Sequence, residues 1–455
     1  MDERAALAAL QEMRAYFQSG ATRSVSVRIA MLETLHARMT QMEAELLSAL
    51  HEDLGKGEAE GYMTEIGLVK SEIRLMQKRL PKLARIKRVG TPLMLFPGKS
   101  YLYPEPYGVC LVLSPWNYPV QLSLMPLVGA LAAGNCVLLK PSSYAPNVSA
   151  ALKRLLSCFP SGLVQVVEGG RAENQALLKA PFDFIFFTGG SYVGKQVLHA
   201  AADNLVPCVL ELGGKSPCLV LEDADIEVTA RRLIYGKVLN AGQTCVAPDY
   251  VLVQKGAHDA LLAALERQAK ALCPRPLEDP LYPKIINRKH FQRLTALLQG
   301  HIPIGGQFDA QSLKIAPSVI DHADAEHPAM QEEIFGPILP VLQVDSLDEA
   351  IAFVRERPKP LALYLFTKSE QAKRRVRAEL SFGGGCVNDV ILHLTNERLP
   401  FGGVGASGMG SYHGEKSFET FTHYKSILDR GLRPDISVRY MPFTKEKLSV
   451  IKRLM

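Results

Sequence analysis

A carboxylate and a thiol 34 residues apart, Glu211 in ELGGKSP and Cys245 in GQTCVAPD, are the pair in this chain best suited to covalent chemistry. A thiol is a good nucleophile because it is partly ionised near neutral pH and its sulfur is soft. A nearby carboxylate can handle protons. The pair suggests two stages, in which a substrate is tied to sulfur and then released by a water that Glu211 deprotonates. Of the eight cysteines, several sit in apolar runs such as NCVLLK and PCVLEL and read as small buried hydrophobes. Cys245 differs, because Gly242, Gln243, Thr244 and Pro248 around it are loop-forming or polar. No C-x-x-C pair or regular spacing points to a disulfide framework or a zinc site, so no metal is expected.

Other stretches carry groups suited to binding. SPWNYPV sets the only tryptophan, Trp116, beside Asn117 and between two prolines. Prolines stiffen the loop, so Asn117 can be a preorganised amide donor for a developing oxyanion; a turn with a packed tryptophan fits the motif equally well. Lys140 in LLKPS is a candidate partner for phosphate or ribose, though alone it reads more simply as an exposed charge. FDFIFFTGGSYVGKQ offers G-x-x-x-x-G from Gly189 to Gly194 between a strand and a helix, where backbone N–H groups can approach a phosphate. A triphosphatase P-loop would need Ser or Thr after Lys195, and this chain has Gln196. Gly403, Gly405 and Gly408 spell G-x-G-x-x-G, but no apolar strand feeds them and they read as a flexible loop. In EEIFGP, Glu333 can accept from ribose hydroxyls and Phe335 can pack on a flat ring; taken alone, Glu332 and Glu333 are a charge pair at a helix end.

These groups need elements to hold them. Residues 1 to about 80 repeat apolar side chains at helical spacing, as in Ile29, Leu32, Leu35, Met39 and Met42, and Pro81 marks the expected end of that helical region. Residues 92–106, rich in proline and aromatics, read as an extended strand pair or linker. From Gly108 onward, GVCLVLSP, NCVLLKP, LVQVVEGG, FDFIFFTGG and PCVLELGG read as buried strands separated by helices, the pattern of a parallel sheet. The runs end at Asn117, Lys140, Gly169, Gly189 and Glu211, where ligands of such sheets bind. DYVLVQ, KIAPSVI, PILPVLQV, LALYLFT and GGGCVND, alternating with helices, read as a second α/β domain.

Composition agrees with a soluble two-domain protein. The 455 residues exceed a single ordinary core, and 47% apolar with 22% charged residues is close to the globular average. No basic leader followed by an apolar stretch is visible at the N-terminus, so the expected location is the cytoplasm. A net charge of +6 does not imply nucleic acid. The basic segments 70–88 and 425–453 read as a solvated helix face and a basic tail rather than a membrane or polyanion site.

In this order, PWNYP, LLKPS, FTGGSYVG, ELGGKSP, GQTCVAPD, EEIFGP and PFGGVGASGMG resemble the aldehyde dehydrogenase superfamily over about residues 100–430. The run NDVILHLTNERLPFGGVGASGMGSYHGEKSFETFTHYKS and the short N-terminal region look most like its class 3 branch, which handles fatty and aromatic aldehydes and is typically dimeric. The resemblance implies two doubly wound α/β domains, a Rossmann-like cofactor domain (1–84 and 107–210, with part of 404–426) and a catalytic domain (211–403). Residues 85–106 and 427–455 would form a small β oligomerisation element with a C-terminal tail. It makes Cys245 the nucleophile, Asn117 and the Cys245 N–H the oxyanion donors, and Glu211 the base that activates water. It places the glycine loop with Gly189, Ser191 and Gly194 at the cofactor phosphates, Lys140 at the adenosine ribose, Glu333 at the nicotinamide ribose and Phe335 against the nicotinamide. Gly213 and Gly214 would let the chain pass close to the cofactor, and Tyr118 and Phe401 are candidate substrate-pocket residues. The family commonly has Glu after K-P-S; here Ser143 stands there. A carboxylate would repel the 2′-phosphate of NADP and a serine can donate to it, so NADP as well as NAD is expected. Two alternatives are a coenzyme-A-acylating or phosphorylating relative, against which Glu211 speaks, and a silent structural relative, which would not need Cys245, Glu211 and Asn117 together.

Overall fold

The chain builds its two parallel sheets from the apolar runs that alternate with helices, as expected of strands buried on both faces. The structure is a computed structural model describing residues 1–454; Met455, the last residue of the expected tail, lies outside the described residues. The strands, in chain order, are β1 (Lys87–Val89), β2 (Lys99–Pro106), β3 (Val109–Leu113), β4 (Cys136–Lys140), β5 (Val164–Val166), β6 (Phe184–Thr188), β7 (Cys208–Glu211), β8 (Pro217–Val220) and β9 (Tyr250–Gln254). They continue with β10 (His301–Ile304), β11 (Phe308–Asp309), β12 (Lys314–Ile315), β13 (Ser318–Asp321), β14 (Ile338–Val344), β15 (Ala362–Phe366), β16 (Gly384–Val387), β17 (Gly408–Met409) and β18 (Thr422–Asp429).

The first sheet runs β17-β7-β6-β3-β4-β5, parallel except for β17. The second runs β10-β13-β14-β9-β8-β15-β16, parallel except for its edge strand β10. All five residues of β3, β4, β6 and β15 are buried. The chain leaves the first sheet at Glu211 and enters the second at Pro217, so ELGGKSP is the crossing between them. β8, the strand after the crossing, is only four residues long and lies inside its sheet, between β9 and β15.

Three expectations change. Pro81 does not end the N-terminal helical region, because it lies in the last turn of helix Gly67–Leu83. There the N–H that proline lacks costs one hydrogen bond near the helix end, which then stops at Ala84. Lys70, read as part of a solvated face, is buried and paired with Glu43 at 2.6 Å. The glycines at 403–408 are not a loose loop either: Gly408 pairs with Glu211 and Met409 with Leu210, adding β17 to the edge of β7. At Gly408 (φ +141°) a Cβ would lie 2.2 Å from the Leu210 carbonyl oxygen, so only glycine fits.

β1, β2 and β18 form a separate three-stranded antiparallel sheet. All eight cysteines are free. Among the described residues no helix is long and apolar enough to cross a membrane.

Candidate active site

The site is assembled at the crossing between the sheets. Glu211 ends β7 and is buried; neither of its carboxylate oxygens has a hydrogen-bond partner in the protein. Burial alone pushes its pKa well above the usual carboxylate range. Cys245 lies in the loop before β9, partly exposed. Its thiol is pushed up by burial first, then by the Glu333 and Glu211 carboxylates. Those two charges register at one sulfur, so the chain brings all three groups to one place.

Asn117, in the loop after β3, is buried, and its Nδ2 donates to the Gln243 carbonyl at 3.1 Å. Its own carbonyl accepts from Lys56 Nζ at 2.9 Å and from Asn240 Nδ2 at 2.8 Å. Lys56 in turn pairs with Glu65 at 2.5 Å, both side chains fully buried, and Glu65 also accepts from the Val120 and Gln121 N–H groups at 2.7 and 3.2 Å. Asn240 and Ala241 adopt left-handed φ of 49° and 50°. Glu60 holds that turn by accepting from the Asn240 N–H at 2.7 Å. Sequence reasoning did not reach Lys56, Glu60, Glu65 or Asn240; apart from the Lys56–Glu65 pair, nine residues apart, the contacts that tie them to the site span 55 to 180 residues, beyond any local pattern.

A second clamp holds EEIFGP. Lys215 pairs with Asp249 and donates to the Ala329 and Glu332 carbonyls at 2.7 and 3.0 Å. Asp249 accepts from the Ile334 N–H at 2.9 Å, and Arg293 donates to the Ile334 carbonyl at 2.5 Å. Lys215 and Asp249 lie inside motifs visible in the sequence, yet nothing there showed that they face each other. Glu333 is pushed up to about 8, by burial first and then by Asp249. A Cβ on Gly213 would stand 2.0 Å from Glu333 Oε2, so ELGGKSP needs glycine there to let Glu333 approach. Phe335 has φ +53° and packs edge-on against Trp116 at 5.4 Å between ring centroids.

These features test whether a dinucleotide fits. Buried Glu333 Oε1 lacks a partner, as an acceptor awaiting hydroxyls would. A Cβ at Gly190, ahead of helix Ser191–Asn204, would meet open space, and Ser191 at the helix start is exposed. The interior glycine of that turn, Gly194, is instead packed on Leu212. Lys140 is not the exposed charge of the simplest reading: it ends β4 buried, its Nζ donates to the Pro141 carbonyl at 2.7 Å, and burial lowers its pKa to about 8. Ser143 is exposed in the following turn, its Oγ 3.8 Å from a Cβ built on Gly170. The donors and acceptors fit the group.

At Cys245 a cavity of about 110 Å³ is lined by Tyr118, Leu122, Leu239, Ile391, Phe401 and Tyr412 among others. Tyr118 donates to or accepts from Thr244 Oγ1 at 2.6 Å, under Lys56 Nζ at 4.0 Å from its ring. The crossing between the sheets thus gathers a thiol, two carboxyl groups and a side-chain amide, with an apolar chamber at Cys245.

The sequence model of the aldehyde dehydrogenase family matches residues 1–427. The 4,4'-diaponeurosporen-aldehyde dehydrogenase of Staphylococcus aureus is 48% identical over 446 residues, covering 97% of each chain. Mouse aldehyde dehydrogenase family 3 member A2 is 42% identical, over 97% of this chain and 92% of its own. A solved structure of the substrate-bound state of Staphylococcus aureus AldH superposes with a TM-score of 0.95 at 47% identity, covering 98% of both chains.

Proposed function

The chain belongs to the aldehyde dehydrogenase family, and from that premise we propose that it oxidises apolar, fatty or aromatic aldehydes to carboxylic acids with NAD or NADP, as a cytoplasmic homodimer. The observation that carries the substrate reading is the cavity at Cys245, whose lining is mostly aliphatic and aromatic, with Thr64, Gln121, Thr244, Thr395 and His413 as its polar members. An apolar tail gains roughly 25 cal/mol per Å² removed from water there. The Staphylococcus relative's name gives it a diaponeurosporen-aldehyde as substrate, in keeping with such a chamber.

In this reading Cys245 Sγ attacks the aldehyde carbon. One Asn117 Nδ2 hydrogen is held by the Gln243 carbonyl, and the other, with the Cys245 N–H, is available to the oxyanion. Lys140, Ser143, Gly189, Ser191, Gly194, Glu333 and Phe335 would hold NAD(P), which when bound supplies the hydride acceptor. Glu211 then takes a proton from the water that attacks the Cys245 thioester. A carboxylate without protein hydrogen bonds and with a raised pKa is a stronger base than an ordinary one. The exposed Ser143, in place of a carboxylate, leaves room for a 2′-phosphate.

A screen of NAD(P)H formation over aliphatic chain lengths and benzaldehydes tests the proposal. Turnover is expected with apolar aldehydes and either cofactor, and none with Cys245→Ala; activity surviving in that variant would refute it. Ser143→Glu is expected to shift preference towards NAD. An unchanged ratio, or negligible turnover of the native chain with NADP, would contradict the cofactor reading.

A further inference from the structure

Three histidines gather round one aspartate at the end of the second sheet away from Cys245. Asp321 is the last residue of β13, its side chain 3% exposed. His322 follows it, His301 opens the neighbouring strand β10 opposite Asp321, and His258 starts the helix His258–Leu272 after β9. Asp321 Oδ1 stands 2.8 Å from His258 Nε2 and accepts from the His322 main-chain N–H at 2.8 Å. Asp321 Oδ2 faces His322 Nε2 at 3.3 Å and His301 Nδ1 at 3.5 Å. The His258 and His322 rings stack at 5.2 Å, and those of His301 and His322 at 6.4 Å.

A single buried histidine–aspartate hydrogen bond would account for His258 alone. It leaves unexplained why His322 takes a left-handed φ of 50°, uncommon outside glycine, and so turns its imidazole back onto the same carboxylate. It also leaves unexplained why ring nitrogens converge there, with ligand atoms of His258, Asp321 and His322 all within 4.8 Å of one another. Zinc binds histidine nitrogen and carboxylate oxygen at about 2.0–2.2 Å in a tetrahedron, whose edges are then about 3.3–3.6 Å. The Oδ2 separations of 3.3 Å to His322 and 3.5 Å to His301 match such edges, whereas the 2.8 Å between His258 Nε2 and Asp321 Oδ1 is a hydrogen bond that must open for an ion to enter. His258 carries a further mark of a ligand: its Nδ1 lies 2.8 Å from the Asp259 carboxylate, the kind of outer contact that fixes which imidazole nitrogen faces a metal.

We propose that His258, Asp321 and His322 bind a divalent transition cation of the zinc type, with His301 as a further nitrogen ligand on the open side. The side chains of His301 and His322, 65% and 64% exposed, leave the site open to solvent. The ion ties β10, β13 and the helix His258–Leu272 together. It takes the place of the proton between His258 Nε2 and Asp321 Oδ1, so its binding weakens as the pH falls. Cys245 precedes β9 and the cluster lies past its carboxyl end, so a five-residue strand, about 17 Å, separates the two. The metal is therefore a clip remote from the aldehyde chemistry. It was out of reach of spacing rules because His258 and Asp321 are 63 residues apart.

Zinc and cobalt titrations of the full chain test this, followed by calorimetry, thermal unfolding and the cobalt absorption spectrum. A single saturable site is expected, raising the unfolding midpoint, with a cobalt spectrum that lacks a thiolate charge-transfer band. His322→Ala should weaken binding by more than about 10-fold, since even loss of an outer partner costs about 10- to 100-fold. It should leave aldehyde turnover unchanged, and Cys245→Ala should leave metal binding unchanged. Absence of binding, binding that survives both His322→Ala and Asp321→Asn, or binding lost in Cys245→Ala would overturn the proposal. If the buried Asp321→Asn variant fails to fold, the exposed His322→Ala decides the matter.

Discussion

At Cys245 the protein's own charges work against the thiolate. Burial, Glu333 and Glu211 all raise the thiol, in that order, so the chain by itself holds its nucleophile protonated across neutral pH. Alkylation of Cys245 by iodoacetamide should therefore be slow at pH 7 and accelerate as the pH rises through the alkaline range. Glu333→Gln removes the larger of the two opposing charges and should shift the rate profile several-fold towards lower pH. Coincident profiles for native chain and variant would show that Glu333 does not reach the sulfur. Cys245 and Glu211 were legible in the sequence because a thiol in a polar loop and a carboxylate at a strand end are local features. Their mutual influence was not, because it arises only when the crossing after β7 folds them together.

The elements that position Asn117 lie mostly outside the motifs. The loop after β3 is pinned from behind by Lys56, in the break between helices Glu43–Leu54 and Glu58–Gly61, and by Glu65 in the helical turn Tyr62–Ile66. Breaking a fully buried pair by removing one partner costs about 3–5 kcal/mol, because the other charge is left uncompensated. Lys56→Met should lose stability on that order in urea unfolding and should lower kcat more than it raises KM, since the Asn117 loop loses its anchor. Wild-type kcat in a folded Lys56→Met variant would show that the network has no part in placing the amide. Most strands of the two large sheets and most helices were readable from their apolar runs. β1, β8, β10, β11, β17 and β18 were not: all but β18 have four residues or fewer, and each is defined by the neighbour that it pairs with rather than by its own pattern.

At the scale of the whole molecule, β18 is an edge strand of eight residues, with Ile427 and Leu428 exposed along it and Leu93 and Phe96 exposed beside β2. An unpaired edge with apolar side chains is a template for another strand. The homodimer proposed above should form there, and Ile427→Lys with Leu428→Lys should yield monomers by light scattering; an unaltered dimer would place the contact elsewhere. The two sheets meet where the chain crosses from Glu211 to Pro217, and in the proposed reaction that junction brings a base to the sulfur. Glu211→Gln, mixed with aldehyde and NAD(P) and followed by stopped-flow absorbance and intact mass, tests it most directly. The expected result is a burst of NAD(P)H stoichiometric with active sites, almost no steady-state turnover, and an acyl adduct on Cys245. Steady turnover near the native rate, or a stalled variant with no adduct on Cys245, would contradict it.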